Sequence, residues 1–434
     1  MNIRSVLLMI FMAAGSATTL AEYPFHVDED QIVVTRGDRI LGTLPCERIA
    51  LDGNGRWTRL HAVAYLRGHI ARTSDGNLYA HGGGAYGEYW VVKSCRDVFF
   101  VSENDGRTWS KGWNVDLPQE RMIGTFTVLR DDSFLAMATE PADDVASFYR
   151  STDRGQTWKL VSEFHAAPFN NVYVDGNLLQ LQDGSIVVPT HFQVKAPEGS
   201  DWGLGLSLQF VLRSTDGGKM WQGGPDDKIW KPIIESKLTV LPVGPDSALP
   251  GGTFPGCYET GVAQEPSGRL IAALRFSGPQ RPWHKTIMKE WGGRQADGVG
   301  RIFRQVMFST SQDGGKTWAT MRPFFDADGE PVIVQQETNG QLIPLGDGRI
   351  ALVHQRRFGP YQIIARFSVD NGKTWLHEEY RLSKGFGFTS SVLLDDGTIV
   401  TATGQSISND DNNRVSIIRW KPPSKEELLA NVEQ

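Results

Sequence analysis

Short apolar runs alternate with polar turns along most of the chain. Six apolar–turn–apolar segments recur, and they centre on Gly76, Ser133, Gly184, Gly268, Gly348 and Gly397. Apolar runs of strand length on either side of a short turn with Gly indicate β-hairpins. The pattern therefore predicts an all-β fold that contains six hairpins in series.

A second pattern interleaves with these hairpins: Ser, any, Asp, any, Gly, any, Thr, Trp. Its copies occupy residues 102–109, 151–158, 214–221, 311–318 and 368–375. Two copies depart from the pattern, with Asn104 at the Asp position and Met220 at the Thr position. In such a segment the Asp accepts backbone N–H groups, the Gly takes a positive φ, and the Trp packs against the neighbouring hairpin. Because each copy follows a strand-like run, we interpret it as a hairpin turn and not as a catalytic site.

The order of the two patterns predicts the architecture. The eight-residue turn follows the hairpin in the first five units and is absent from the sixth. A ring of six four-stranded units, with the last unit completed by a strand from the other end of the chain, has this arrangement and leaves no free sheet edge. We expect a six-bladed β-propeller over residues 22–421 and a C-terminal tail over 422–434. The alternative is a β-sandwich or two separate β domains.

The first 21 residues are typical of a secretory signal peptide. Arg4 precedes an apolar run over 6–14, and small residues at 19–21 predict cleavage before Glu22. The alternative is an N-terminal membrane anchor, but the apolar run is too short to span a bilayer. No later segment approaches about 18 unbroken apolar residues, so no membrane span is predicted. We therefore expect a secreted or periplasmic protein.

Composition narrows the possible partners. The chain has 434 residues, 40% of them hydrophobic, and a formal net charge of −6. No basic face is implied, so nucleic acid and anionic membrane are poor partners. Its three cysteines, Cys46, Cys95 and Cys257, match no zinc signature and allow one disulfide and one free thiol. We predict no metal site and no cofactor.

The repeat register predicts which side chains meet at the centre. Positions nine residues before each hairpin turn begin the innermost strand, and positions seven after it end the second strand. Antiparallel pairing puts both at the same end of the ring. The first set is Arg67, Gly124, Asp175, Glu259, Asn339 and Phe388; the second is Gly83, Glu140, His191, Arg275, Gln355 and Gly404, with Arg356 and Arg357 next to Gln355.

These positions are unusually polar for residues beside a core. We expect Arg67, Arg275 and one arginine of the 356–357 pair to share a cavity with Glu259, Glu140, Asp175 and His191. Buried charges are costly unless paired, so the cluster indicates a binding site or, alternatively, structural ion pairs around the axis. Guanidinium groups bind carboxylates through forked hydrogen bonds, which makes a sugar acid the natural ligand of a secreted protein. Two long loops over 222–257 and 276–300, the second with Trp283, are expected to shape this site or to be surface elaboration.

The eight-residue turns are similar to the Asp-boxes of the bacterial sialidase family, a family of six-bladed propellers. LRGHIARTSDGNLYA resembles the segment with the first family arginine, at Arg67, although His69 replaces the family proline. CYETGVAQEPSGRLIAALR resembles the segment with a Glu and the second arginine, at Glu259 and Arg275. HQRRFGPYQIIARFSVDNGKTW resembles the blade with the third arginine, at Arg356 or Arg357. The resemblance implies an exo-acting glycosidase for a terminal carboxylated sugar.

One segment departs from the family. GFGFTSSVLLDDGTI resembles the segment with the tyrosine nucleophile, but this position is Phe388. Sialidases use that tyrosine in place of a carboxylate nucleophile, and phenylalanine cannot attack. The loop that would hold the acid/base aspartate is GGGAYGEYWVVKSCRD, where Glu88 is the first candidate and Asp97 the second, each with a structural role as the alternative.

Three mechanisms remain open. An inverting hydrolase would use Glu259 as a base on water and Glu88 or another carboxyl as the acid. A different tyrosine, Tyr258 or Tyr361, could replace the nucleophile. A lyase could neutralise a uronate with the arginines while His191, His69 or a tyrosine removes a proton. A propeller that binds an acidic sugar without cleaving it is the alternative outside enzymology.

Overall fold

The fold follows from strands that alternate with the predicted turns. The computed structural model describes residues 30–52, 67–83, 97–118, 121–139, 144–166, 171–173, 176–194, 206–223, 256–278, 303–332, 340–356, 362–384, 388–405 and 414–430. Within these ranges nearly all regular structure is β, and the one α-helix, α1, spans Lys425–Ala430. The all-β prediction is therefore confirmed, and the fold is propeller-like.

The N-terminal part of the described chain forms a hairpin and two four-stranded antiparallel sheets. The hairpin consists of β1 (Gln31–Arg36) and β2 (Arg39–Asp52). Unit 1 consists of β3 (Arg67–Arg72), β4 (Leu78–Gly83), β5 (Asp97–Ser102) and β6 (Trp113–Val115). Unit 2 consists of β7 (Met122–Val128), β8 (Phe134–Thr139), β9 (Val145–Ser151) and β10 (Lys159–His165). In both units the strands pair in sequence order, as consecutive hairpins do.

Units 3 and 4 merge into one seven-stranded sheet. Unit 3 consists of β11 (Asn171–Tyr173), β12 (Leu179–Gln180), β13 (Ile186–Val194) and β14 (Leu206–Ser214). Unit 4 consists of β15 (Gly256–Gln264), β16 (Leu270–Gly278) and β17 (Phe303–Ser311). A parallel pair, Ser207 with Gly256, joins them. A short hairpin of β18 (Phe324–Phe325) and β19 (Pro331–Val332) follows.

Units 5 and 6 are joined by the N-terminal hairpin. Unit 5 consists of β20 (Gln341–Pro344), β21 (Ile350–Arg356), β22 (Gln362–Ser368) and β23 (Glu379–Lys384). Unit 6 consists of β24 (Thr389–Leu393), β25 (Ile399–Gln405) and β26 (Arg414–Trp420). Strand β2 pairs with β26, so an N-terminal strand completes unit 6 as predicted, and β1 pairs with β23. The result is one nine-stranded sheet in place of two separate ones.

The apolar core lies between neighbouring units. Ile363 and Phe367 of β22, for example, pack with Ile399 of β25 and with Ile418 and Trp420 of β26. Alternate residues of each strand face the apolar core between two units, and this explains why the strand segments are rich in apolar residues. Leu428 of α1 docks on the same cluster and is fully buried, so the C-terminal tail is tied to unit 6.

The innermost strands meet around a narrow central space, which we call the hub. The side chains and backbone of inner strands from five units line a cavity of about 10 Å³, enough for about one water molecule. Its lining residues are His69, Gly176, Asn177, Gly261, Gly340, Gln341, Thr389 and Ser390. A Cβ atom at Gly261 would clash with the carbonyl oxygen of Gly340, and one at Gly68 would lie 2.8 Å from the Thr403 backbone. Glycine is therefore required where the backbones of neighbouring units approach each other at the hub.

Polar side chains tie neighbouring units together at the hub. The Asn177 amide of unit 3 donates to Val262 O at 2.8 Å and accepts from Val262 N at 2.9 Å, as a strand neighbour would. The Ser390 hydroxyl of unit 6 accepts from Ile70 N of unit 1 at 3.2 Å. Unit 6 thus contacts unit 1, although the two are far apart in the sequence.

The eight-residue turns have the predicted hydrogen bonds. In the copy at 311–318, Asp313 accepts from Thr317 N at 2.9 Å and from the Thr317 hydroxyl at 2.5 Å, and Gly315 has φ +89°. Asn104 replaces the Asp in the first copy and still accepts from Thr108 N at 2.9 Å. In the copy at 214–221, Asp216 accepts from Met220 N, but the methionine supplies no hydroxyl.

Cys46 is a free thiol buried beside Trp420, and burial raises its pKa. Cys95 and the signal-peptide prediction lie outside the described residues. Within the described part of the chain, no helix has the length and apolarity needed to cross a membrane.

Replacing Met220 by Thr should restore the hydroxyl-to-carboxylate bond and raise the melting temperature. The matched change, Thr317→Met, removes that bond from another copy and should lower the free energy of unfolding by about 1 kcal/mol. Thermal unfolding of both variants checks this. Equal melting temperatures for both variants and the wild type would show that the hydroxyl is irrelevant.

Replacing Gly261 by Ala should lower the free energy of unfolding by about 3 kcal/mol, because the new methyl group would overlap the Gly340 backbone. Gly42 is the matched control, since a Cβ there has no atom within 4 Å and its φ is ordinary. Urea denaturation of Gly261→Ala and Gly42→Ala measures the difference. A Gly261→Ala protein as stable as Gly42→Ala would contradict the close packing at the hub.

Candidate functional site

In three units the strand register pairs residues at or near the predicted polar positions of the inner and second strands. Arg67 pairs with Gly83, Tyr173 with His191, and Tyr258 with Arg275. In each pair a residue of the inner strand lies opposite a residue of the second strand, as antiparallel pairing requires. We call the end at which the inner strands begin the upper end of the hub.

Glu259 lies at the upper end in an unusual backbone conformation. Tyr258 pairs with Arg275 and Thr260 with Leu274, so Glu259 is the extra residue of a β-bulge. Its φ is +41°, in the region that favours glycine, and the residue is 8% exposed. A non-glycine residue adopts such a φ at a cost of about 1 to 3 kcal/mol, and such residues cluster at functional sites. The corresponding bulge of unit 2 has Gly124 at this position.

Arg275 holds the carboxylate that this bulge presents. Arg275 Nη1 donates to Glu259 Oε1 at 2.5 Å, and both side chains are about nine-tenths buried. A short, charge-assisted bond of this kind fixes the carboxylate in orientation. Glu259 Oε2 accepts no hydrogen bond from any described residue, although it is buried. One carboxylate oxygen is thus anchored and the other is available for a further donor.

Arg356, which was expected in the arginine cluster of the cavity, is bound by a carboxylate of its own unit. Its Nη1 donates to Glu379 Oε2 at 3.1 Å, and Glu379 also pairs with Arg366 at 2.6 Å and lies 3.6 Å from Arg381. Burial alone would raise the pKa of Glu379, but the Arg366, Arg356 and Arg381 guanidiniums together hold it below its ordinary value.

Burial, assisted by Arg366, also holds the pKa of His354 well below its ordinary value, so the imidazole ring of His354 is neutral.

Asp97, a candidate acid in the sequence, is part of a buried pair. Its Oδ1 lies 2.8 Å from His81 Nε2, and its Oδ2 accepts from Ile123 N at 3.1 Å. Both side chains of the pair are 0% exposed. Asp97 therefore links unit 1 to unit 2, and a Cβ at Gly83 would collide with its carboxylate.

Other candidates at this end are aromatic or polar and largely buried. His191 stacks on Tyr173 with ring centroids 4.8 Å apart, and His69 lines the hub and stacks on His81 at 5.8 Å. Phe388 is 6% exposed, and its carbonyl accepts from Gly404 N. Arg67 lies in β3 and Tyr258 in β15, and the side chains of both are outside the described part of the structure. Six candidates lie outside the described residues: Glu88, Glu140, Asp175, Trp283, Arg357 and Tyr361.

Sequence reasoning missed His81, Glu379, Arg366 and Arg381. No local pattern marks these residues, because their contacts depend on the register between strands. The glycines of the hub did leave a signal, since Gly68, Gly176 and Gly340 each directly follow a predicted inner-strand start. Among the described residues, no group of His, Cys, Asp and Glu is arranged to hold a metal ion.

Comparison with known proteins agrees with the turns and the fold. The BNR/Asp-box repeat family matches residues 149–160. No curated protein matches the sequence.

Several solved structures share the fold at low identity. A protein of unknown function from Dyadobacter fermentans is 16% identical, with a TM-score of 0.59 over 90% of this chain and 99% of that one. An α-L-arabinofuranosidase from Fusarium graminearum, in complex with an iminosugar inhibitor, is 14% identical, with a TM-score of 0.56 over 88% and 98%. The Trypanosoma rangeli sialidase in complex with the inhibitor DANA is 13% identical, with a TM-score of 0.53 over 86% of this chain and 57% of that one. These chains show a shared fold; two of them are glycosidases.

Replacing Glu379 by Gln should lower the free energy of unfolding at neutral pH by about 3 kcal/mol, because three buried guanidiniums lose their common counter-ion. The pKa of Glu379 is lower in the folded than in the unfolded state. Its contribution is therefore complete above the ordinary carboxyl value and is lost as the pH falls through the folded value. The difference between wild type and variant should shrink towards acidic pH.

Urea denaturation between neutral and acidic pH measures this difference. The exposed Glu330, for which the same change should have little effect, is the control. A difference that stays constant with pH would mean that Glu379 is not held ionised by the arginines.

Proposed function

We propose that this protein is a glycoside hydrolase whose reacting carboxylate is Glu259. The observation that carries the proposal is the strained, arginine-held Glu259 at the upper end of the hub, with one buried oxygen unpartnered among the described residues. Strained backbone and an anchored carboxylate are typical of sites where a reacting group must be positioned in advance. The fold shared with two glycosidases supports the same conclusion.

We also propose that the six units form a closed ring of six blades. The bonds between units support this, since they run from unit 3 to unit 4 through Asn177 and from unit 6 to unit 1 through Ser390. The parallel bridge of Thr260 with Gly340 joins units 4 and 5. In this proposal, the shared sheet of units 3 and 4 and the shared sheet of units 5 and 6 each consist of two blades that are hydrogen-bonded at their edges.

The proposed mechanism assigns Glu259 as the base that activates water. Its free oxygen accepts the proton of the attacking water while Arg275 keeps the carboxylate oriented. A second carboxyl group, with Glu88 as the first candidate, protonates the leaving oxygen. The Phe388 position, which resembles that of the sialidase nucleophile, contributes an apolar wall beside the site and leaves the attack to water. Attack by water in a single displacement inverts the anomeric centre.

The first proposed substrate is a terminal carboxylated sugar on an exported glycan. Arg67, Arg275 and Arg356 all lie near the upper ends of their strands, and their positions resemble those of the sialidase arginines. The signal-peptide pattern supports secretion or export to the periplasm, where such glycans are encountered.

A neutral terminal sugar is the second candidate, and the ion pairs favour it. Arg275 already binds Glu259, and Arg356 shares Glu379 with Arg366 and Arg381. A ligand carboxylate would then have to share each arginine with a protein carboxylate. A neutral furanoside, the class on which the Fusarium graminearum neighbour's name says it acts, makes no such demand.

Replacing Glu259 by Gln should lower kcat for aryl glycoside hydrolysis by about 10²- to 10⁴-fold, because the amide cannot accept the proton but keeps the bond from Arg275. Release of the chromophore from aryl sialosides, uronides and α-L-arabinofuranosides measures the rate and identifies the sugar. Glu378→Gln is the matched control, since Glu378 is also a buried glutamate paired with an arginine, Arg36, but lies in the outer part of unit 5.

Two results would contradict the proposal. Equal loss of activity in the Glu259 and Glu378 variants would show only a stability effect. Saturable binding of a sugar acid with no turnover, or release of an unsaturated uronate, would indicate a binding propeller or a lyase.

A further inference from the structure

A groove of about 350 Å³ opens between units 4 and 5 at the end opposite to Glu259. Its walls are the hairpin turn after β15, the hairpin turn after β20, and the eight-residue turn at 368–375. Six residues of extended chain separate Glu259 from Glu265, so the groove lies about 20 Å from the upper end of the hub. A volume of this size falls within the range of small-ligand sites.

One wall of the groove contains Arg269, whose guanidinium is held in place and neutralised by Glu265. Arg269 donates from Nε to Glu265 Oε2 at 2.5 Å and from Nη2 to Glu265 Oε1 at 2.8 Å. Nη2 also donates to Asn371 O at 2.5 Å. The fork joins units 4 and 5 and fixes the shape of the groove without adding net charge.

The opposite wall carries two cationic side chains, Arg349 and Lys373, that can donate further hydrogen bonds. Arg349 donates from Nε to Asp347 Oδ2 at 2.7 Å and from Nη1 to Pro423 O, so its plane is held while Nη2 donates to no described residue. The ammonium of Lys373 is exposed and has no ion pair with any described carboxylate. Pro266 and Pro344 add apolar surface between these groups.

We propose that this groove binds an acidic sugar residue through its carboxylate. Arg349 Nη2 and the Lys373 ammonium would bind the carboxylate, and the proline surfaces would pack against the sugar ring. The groove is a second subsite, distinct from the Glu259 site, that anchors a polymeric glycan while its terminus is processed. The choice of a sugar as the ligand rests on the proposed glycosidase function, whereas the choice of a carboxylate rests on the groove alone.

Isothermal titration of the full-length protein with trigalacturonate at low ionic strength tests the proposal. Lys373→Ala and Arg349→Gln should each weaken binding about 10-fold, because each removes one charged donor. Lys316→Ala is the matched control, since Lys316 holds the same position in the eight-residue turn of unit 4 and does not line the groove. The methyl ester of trigalacturonate, which lacks the charge, should bind weakly to all of these proteins.

Two measurements separate this proposal from the proposed function. Hydrolysis of a small aryl glycoside should be unchanged in Lys373→Ala, because that substrate cannot span both sites. Trigalacturonate binding should persist in Glu259→Gln. The groove assignment is wrong if trigalacturonate does not bind the wild type, if the Lys373 and Lys316 variants bind it equally, or if the methyl ester binds as tightly as the acid.

Discussion

The close approach of the inner strands at the hub is the constraint on which the rest of the structure depends. Backbone meets backbone at Gly261 and Gly340, and the cavity that remains admits about one water molecule. A ligand of sugar size cannot pass through such an axis. Side chains that act on a ligand must therefore lie at an end of the ring, where the strands begin or where the hairpins turn.

The bulge at Glu259 shows how the chain uses that end. The extra residue shifts the strand register, and its carboxylate lies against Arg275. Unit 2 makes the same bulge with a glycine, which has no side chain to present. A register shift at the same repeat position thus carries no side chain in unit 2 and a charged side chain in unit 4.

Charge in this protein is distributed as local pairs. Glu259 pairs with Arg275 inside unit 4, and Glu379 pairs with three arginines inside unit 5. Burial of such groups is tolerated because each has a partner, and the pairs hold the strands in register. The guanidinium groups of these arginines are therefore held in fixed positions, and part of their charge is already compensated.

The sequence predicted the features that depend on local chemistry. All six hairpins, the turn bonds of Asp313 and the completion of unit 6 by an N-terminal strand followed from turn residues and repeat order. The sequence could not predict the positive φ of Glu259 or the pairing of Arg356 with Glu379, because both depend on registers between strands. It also did not predict the sheet mergers, which depend on the contacts of β1 and on the Ser207–Gly256 pair.

The most direct test of the central claim is a crystal structure of the protein soaked separately with DANA and with an iminosugar. The account predicts that one of them binds at the upper end of the hub, with its anomeric position within about 3 to 4 Å of Glu259 Oε2. Ligand density elsewhere, with Glu259 in contact only with Arg275, would contradict the assignment of Glu259 as the reacting carboxylate.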